Sequence, residues 1–403
     1  MTARCLDLSR LVSRVGHGPA TGVDRVERAY LDALLGRGDP LFALCRTAVG
    51  YSLLDRAGVA ALAALLAANG PWPPPDLAGR LSGQLPEPRR RAEAALRRLA
   101  LRSCLRPGLA RMLRAALPEG FSYINTGHSN LAARGLRAIR GAGGRISVLV
   151  HDTIPLDFPD FQRAGTVEGF ERKLRAVSEY ADLVICNSEQ TRGDVTYYMT
   201  EFGRVPKMLT ALLGIDPPPA PGPMPDAVQE MAPYFVTIGT IEPRKNHALL
   251  LDIWEDLARR LPAEKVPALV IVGQRGWNNE PVFRRLDALP EGGRVIELNG
   301  LDDAARTAVL AGSKGLLFPS LAEGFGLPPA EAVALGVTAL CAPLPVYKEF
   351  LAHNIVYADP ADRYDWATKI IALTAASEAE KPAMAAQALP TWPEHFNRVL
   401  AIV

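Results

Sequence analysis

No two of the five cysteines stand at C-x-x-C spacing. Cys5, Cys45, Cys104, Cys186 and Cys341 are odd in number and widely scattered, which implies neither a zinc site nor a disulfide framework and suits a reducing compartment. Long hydrophobic runs are also missing. The most apolar stretch, Ala57 to Ala68, falls well short of the roughly 20 residues that a membrane span needs, so any membrane contact is expected to be peripheral. The opening MTARCLDLSRLVSR carries Arg4, Asp7, Arg10 and Arg14, where a secretory leader would place a basic end followed by an apolar centre. A large charge of one sign is absent too. The formal net charge is +2, which argues against a general nucleic-acid binder. No internal repeat is visible.

What is present is a chain of 403 residues, long enough at roughly 100–200 residues per domain for two or three domains rather than one. With 48% hydrophobic and 22% charged residues it has the composition of a folded globular protein. Short β-branched or Leu-rich runs alternate with longer helical patterns, the signature of βα units feeding a parallel sheet. In the second half, strands are expected at 234–239, 267–273, 294–300, 315–320 and 337–342. Between the first two lies HALLLDIWEDLARRL, with Leu250, Ile253, Trp254, Leu257 and Leu261 at helical spacing. In the first half, strands are expected near 4–8, 40–46, 121–125, 146–151, 182–187 and 207–213. The Pro-rich GIDPPPAPGPMPD, 214–226, resists both helix and central strand and marks a domain boundary. The segment PWPPPDLAGRLSGQLPEP, 71–88, reads as a loop or surface insertion. The expected division is therefore a first domain over 1–215, a second over 216–388, and a terminal helical segment over 389–403. The α/β class is two doubly wound domains whose strand ends bind ligands.

The sharpest motif is EGFGLPPAE, in which Glu323 on a loop and Glu331 in the following helix flank a Gly-Phe-Gly turn. Pro328 and Pro329 suit the first turn of that helix. Backbone N–H groups of Gly324, Phe325, Gly326 and Leu327, with the helix N-terminus, form a nest able to hold phosphate. Carboxylates beside such a nest accept hydrogen bonds from sugar hydroxyls, so the pattern fits a nucleotide sugar. The plainer account is that the two glutamates only solvate or stabilise an exposed helix start. Upstream, GTIEPRKN places Arg244 and Lys245 on the loop between a strand ending at Gly239 and a helix opening near Asn246. Adjacent cations there can neutralise a departing diphosphate, or can be an ordinary basic loop.

GTIEPRKN, IVGQRGW and PSLAEGFGLPPAEAVALG together resemble the C-terminal nucleotide-sugar domain of retaining glycosyltransferases of family four, which have the GT-B fold. HDTIPLDFPDF (151–161) and ADLVICNSEQTRGDV (181–195) resemble the mannosyltransferase-like branch, and the likeness covers most of 145–345. The resemblance implies that Glu323 faces the donor sugar, Glu331 binds the ribose, Lys245 with Arg244 neutralises the diphosphate, and Gly324 to Leu327 contact the donor through backbone. It further implies that His151 faces the donor from the end of the strand RISVLVHD, with Asp152 beside it on the acceptor side. Gly22 in GHGPATGVDRVERAYL would lie in the glycine-bearing loop that approaches the diphosphate, and Asp24 reads as a residue resembling an N-cap. Where many members have Arg after the glycine matching Gly239, this chain has Thr240, leaving the second phosphate cation to Arg244 or Arg275.

His128 and Asn130 in INTGHSNL either line the acceptor side or stabilise a turn. The Arg-rich 89–117 reads as a basic amphipathic helix, either laid against anionic headgroups or simply solvated. LPTWPEHFNRVLAIV, with Trp392, Phe396, Val399 and Leu400, fits the terminal helix that in this fold crosses back to the first domain. The resemblance implies a hexose, mannose as first guess and GDP-mannose as first donor, passed to a glycan or lipid-linked glycan in surface polysaccharide synthesis. It implies a cytoplasmic enzyme, including the inner membrane face, with no metal and no cofactor beyond the nucleotide-sugar co-substrate. Domain closure would bring His151 against Glu323. Two rivals remain: a nucleotide-sugar epimerase of the same fold, and a catalytically silent subunit of a polysaccharide-assembly complex.

Overall fold

The computed structural model describes residues 2–18, 20–351, 354–376 and 389–403. They divide into two units: one over residues up to Thr153, 168–213 and 393–403, the other over 154–167 and 214–392. The sequence division at 215/216 and 388/389 differs from this in three places, at 154–167, 214–215 and 389–392, and the end expected at 388 lies outside the described residues. The segment 154–167 groups with the second unit because Trp277 Nε1 donates to Phe161 O at 2.8 Å and Asn278 Nδ2 to Gln162 O at 2.7 Å. Arg163 stacks over the Trp277 ring at 4.7 Å. Residues 393–403 group with the first unit. There His395, on the helix Trp392–Val399, bonds Tyr30 Oη at 2.7 Å and Leu212 O at 2.9 Å.

The first unit holds an eight-stranded sheet: β1 (Arg4–Asp7), β2 (Leu41–Arg46), β3 (Gly50–Leu54), β4 (Arg102–Leu105), β5 (Ser122–Asn125), β6 (Arg145–Val150), β7 (Leu183–Cys186) and β8 (Lys207–Thr210), in the order β4-β3-β2-β1-β5-β6-β7-β8. From β2 to β8 the pairing is parallel. β3 and β4 add an antiparallel edge that the alternation argument missed. The strand reading also fails inside 89–117. Instead of one helix, this stretch is the helix Glu87–Leu99, then β4, then the helix Leu109–Ala116. β4 is an outer strand with exposed Arg102, Ser103 and Leu105, and edge strands of this polar kind carry no hydrophobic alternation to read.

The second unit holds β9 (Tyr234–Ile238), β10 (Ala268–Val272), β11 (Val295–Leu298), β12 (Gly315–Phe318), β13 (Ala339–Cys341) and β14 (Ile355–Tyr357), ordered β11-β10-β9-β12-β13-β14 and parallel throughout. β14 is three residues long and was not expected. This order is that of a doubly wound dinucleotide-type sheet, whose direction of winding reverses between β9 and β12. β9, β10, β12 and β13 are buried along their whole length, which is why they read as continuous apolar runs. Over them packs the helix His247–Arg260 through Leu250, Ile253, Trp254 and Leu257. Trp366 and Ile370 of the helix Arg363–Ala375 close the same core.

Trp366 is fully buried and its Nε1 donates to Asp359 O at 3.0 Å. Trp366→Ala should therefore lower the stability of the second unit by about 3–5 kcal/mol, the usual cost of emptying so large a site. A loss below about 1 kcal/mol in urea unfolding would contradict this packing.

Candidate active site

The loops that leave β9 and β12 emerge side by side at the reversal point of the second sheet. The first runs from Gly239, whose φ is +145°, through the turn Pro243–Lys245 to Asn246, which caps the next helix in the left-handed conformation. The second runs through Glu323 to Gly326 and the helix Leu327–Ala334. Gly326 has φ +92°, and a Cβ there would overlap the Tyr347 ring. Only glycine serves this turn. Phe325 is buried and stacks on Phe350 at 4.3 Å, so the backbone of Gly324 to Leu327 is anchored from beneath.

Glu323, Lys245 and Arg244 come together between these loops. Lys245 Nζ lies 2.6 Å and Arg244 Nη1 2.9 Å from the same oxygen, Glu323 Oε1. Arg244 also reaches Glu242 at 2.8 Å and donates to Ala322 O at 2.8 Å. Lys245 Nζ sits 4.3 Å over the Phe318 ring. Burial alone would raise the Glu323 carboxyl, but Arg244 and Lys245 overcome it and hold the group at about 2. Burial draws Lys245 below its ordinary range while Glu323 opposes that shift. Buried Glu242 is raised, chiefly by burial. The sequence reading passed over Glu242 although it stands in GTIEPRKN; a carboxylate next to an Arg-Lys pair is the signal that could have found it.

Glu331 is buried on the helix after the glycine turn, with Arg306 Nη2 3.8 Å from its carboxylate. Arg275 is turned to Glu297, with its closest contact at 2.7 Å, and to Asp287 at 2.7 Å. Of the two candidates for a second cation, Arg244 is therefore the one beside Lys245 and Glu323.

In the first unit the reversal falls between β1 and β5. Asp7, at the end of β1, accepts from Tyr123 Oη at 2.7 Å, Asn130 Nδ2 at 3.0 Å and the Ser9 N–H at 3.0 Å. Tyr51 Oη donates to Asn130 Oδ1 at 3.2 Å. Asn130 and His128 both take positive φ, 59° and 55°, and Asn125 Nδ2 donates to Ser129 O at 2.7 Å. The turn reading of INTGHSNL thus has a physical basis in these bonds. Asp7 and Glu27 were missed. Glu27 is fully buried and stands well above its ordinary value, through burial first and neighbouring Asp7 second.

His151 is buried, its Nε2 2.7 Å from Thr126 O, and His128 Nε2 is 2.9 Å from Leu149 O, with the two rings 5.0 Å apart. A carbonyl only accepts, so each Nε2 carries the proton and each neutral ring keeps its Nδ1 lone pair. Burial lowers His151 to about 4 and His128 well below its ordinary value. Asp152 is half-buried next to His151. Gly22 is the exposed first residue of the helix Gly22–Leu35. The cap of that helix is Thr21, and Asp24 is its capping-box partner three residues in, binding Arg10 at 2.7 Å and Arg14 at 3.2 Å. This corrects the expectation that Asp24 itself resembles the N-cap. Among the described residues no three His, Cys, Asp or Glu side chains converge as a metal-binding group.

A family model described as glycosyl transferases group 1 matches residues 225–388. The serotype-specific mannosyltransferase WbdA of Escherichia coli is 33% identical over 236 residues, 55% of this chain and 28% of that protein. O-antigen chain mannosyltransferase B of Escherichia coli is 26% identical over 220 residues, 53% of this chain and 56% of that one. The chain thus spans well under two thirds of either relative. The crystal structure of Anabaena HepE in complex with UDP and glucose matches with a TM-score of 0.60 at 16% identity, over 99% of this chain and 95% of that one, a likeness of fold. The chain has the GT-B fold class, and its residues 225–388 are similar to the group 1 glycosyl transferases.

The folded-chain value of about 2 for Glu323, against an ordinary 4.5, means that the unfolded chain takes up this proton first on acidification. The stabilisation is complete above 4.5 and is lost as pH falls toward 2. Glu323→Gln should flatten the acid limb of the stability curve in that window by up to one proton. An unchanged slope in urea unfolding across pH would count against the ion cluster.

Proposed function

We propose that the protein is a retaining hexosyltransferase that moves a hexose, mannose as first choice, from a nucleoside-diphosphate sugar to a hydroxyl of a glycan or lipid-linked glycan in surface polysaccharide synthesis. The observation that carries this reading is the sharing of Glu323 by Lys245 and Arg244 at the reversal point of the second sheet, beside a glycine turn that opens a helix. The choice of mannose takes its support from the names of the two mannosyltransferase relatives.

In this reading the donor diphosphate takes the place that Glu323 Oε1 fills for the two cations. Lys245 and Arg244 then face phosphate oxygens, and the N–H groups from Gly324 to Leu327 add neutral donors. Glu323, kept ionised, turns to the sugar, and Glu331 accepts from the ribose hydroxyls. The bond from C1 of the sugar to the phosphate oxygen breaks, and a bond from C1 to the acceptor oxygen forms on the same face. The acceptor proton passes to the departing phosphate oxygen. Charge grows on that phosphate as the bond lengthens, so cations already fixed in a dry setting favour the transition state over the ground state. His151 contributes a neutral Nδ1 that accepts a hydrogen bond from a sugar hydroxyl without adding charge.

Assays with labelled GDP-mannose and UDP-hexoses should give slow donor hydrolysis, or transfer when a glycan is supplied. Lys245→Ala and Glu323→Ala should each lower the rate by about 10²–10³, the range for loss of one preorganised charge-stabilising group. Undiminished transfer by Lys245→Ala would overturn the phosphate role, and an isomerised nucleotide sugar as product would replace the transferase by an epimerase. Stable binding to an assembly partner with no turnover of any donor would favour the silent subunit.

A further inference from the structure

The Arg-rich stretch has no place in the chemistry above. Once it is split by β4, part of its charge turns toward a cavity of about 710 Å³ in the first unit. Arg89 of the helix Glu87–Leu99 and Arg106 just after β4 line it together with Arg46 at the end of β2, Lys173 of the helix Thr166–Tyr180, and Asn130. The cavity opens at the carboxyl ends of β1, β2 and β5, flanking the reversal point of this sheet, where doubly wound sheets take ligands. Its volume falls in the range of about 300–1,000 Å³ that accommodates whole small molecules.

Its lining holds four cationic side chains and no carboxylate. Arg89 is partly neutralised by Glu93 at 3.3 Å, and Arg106 reaches Ala48 O at 3.3 Å. Among the described residues the Arg46 guanidinium and the Lys173 amine make no hydrogen bond or ion pair. Loss of solvent, then the charges of Arg10 and Arg46, pull Lys173 below its ordinary range. Like charges gathered in a concave, partly desolvated space repel one another, and an oxyanion relieves that repulsion.

We propose that this cavity seats a phosphate-class anion borne by the acceptor, with Arg46 and Lys173 as direct ligands and Arg89 and Arg106 as the flanking charge. Naming its bearer the acceptor rests on the transferase reading; the anion site rests on the cavity alone. The space exceeds what a phosphate group fills, so the remainder takes the glycan or carrier attached to it. Leu81, 89% exposed, stands in the lining and gives an apolar chain a surface to follow.

The test is calorimetric titration of the full chain with inorganic pyrophosphate in the presence of saturating GDP, which covers the phosphate site of the second unit. The expected result is saturable binding that weakens with added salt. The Arg46→Gln/Lys173→Gln variant should bind at least tenfold more weakly, while its affinity for GDP and its melting temperature stay within error of the parent. Arg46→Lys, which keeps the charge, should retain most of the affinity. Absence of saturable binding in the parent, or equal binding by the double variant, overturns the proposal. Tighter binding of farnesyl diphosphate than of pyrophosphate supports it with the anion on a lipid carrier, and equal binding supports it with the anion on the glycan itself. A chain that binds pyrophosphate here yet turns over no nucleotide sugar sinks the transferase reading alone. One that turns over donor but lacks this site sinks only the present proposal.

Discussion

One carboxylate oxygen shared by a buried lysine and a half-buried arginine is the constraint around which the second unit is arranged. Taking the Lys245 and Glu323 charges out of water costs several kcal/mol per ion before their attraction is counted, so such a cluster persists only where the backbone leaves it little freedom. Here that backbone is two loops from neighbouring parallel strands, β9 and β12. One is fixed by the left-handed Asn246, the other by Gly326 packed against Tyr347. The Leu321 N–H donates to Arg244 O at 2.7 Å and ties the loops together. A hydrophobic trio of similar volume would stabilise the fold as well or better. Retention of charge at this point is thus an argument about ligands rather than about folding.

The two units apply the same topological rule with different electrostatic preparation. In the second, Lys245 and Arg244 are already matched by an internal carboxylate, Glu323, and leave no bare positive site. In the first, Asp7 spends its hydrogen-bonding capacity on Tyr123, Asn130 and Ser9, and Asp24 is engaged by Arg10 and Arg14. Asp7 and Asp24 are thereby occupied, and Arg46 and Lys173 line a cavity that has no carboxylate in its lining. The near-zero net charge of the whole chain conceals this separation: positive charge gathers locally where no negative partner is built.

Legibility in the sequence followed the physics of each element. β9, β10, β12 and β13 are buried throughout and could be read from apolar runs alone. The helix His247–Arg260 shows a clean apolar stripe, and EGFGLPPAE carries its own turn and helix start. β3, β4 and β14 did not show. β14 is too short for periodicity, β4 is exposed, and β3 is an antiparallel return where alternation of strand and helix predicts a crossover. The 154–167 segment was misassigned because its grouping depends on Trp277 and Asn278, more than a hundred positions away. Asp7 and Glu27 escaped for a related reason. Nothing in RCLDLS or VDRVER says that these acids are buried side by side, and only the fold makes them unusual.

The histidine pair shows how far local geometry can decide chemistry. Both Nε2 atoms face backbone carbonyls, and burial opposes protonation of either ring, with His151 at about 4. Each ring at neutral pH is therefore a hydrogen-bond acceptor through Nδ1 rather than a source of positive charge. A protonated His151 would favour an anion and add to the positive field of the first unit, where Arg10 already disfavours that charge. The neutral ring avoids this conflict and leaves Nδ1 as an uncharged hydrogen-bond acceptor. Within one sheet, then, the strand ends separate two tasks. β6 presents a neutral acceptor through His151, while the turns after β2 and β5 border a cavity whose unmatched cations call for an anion.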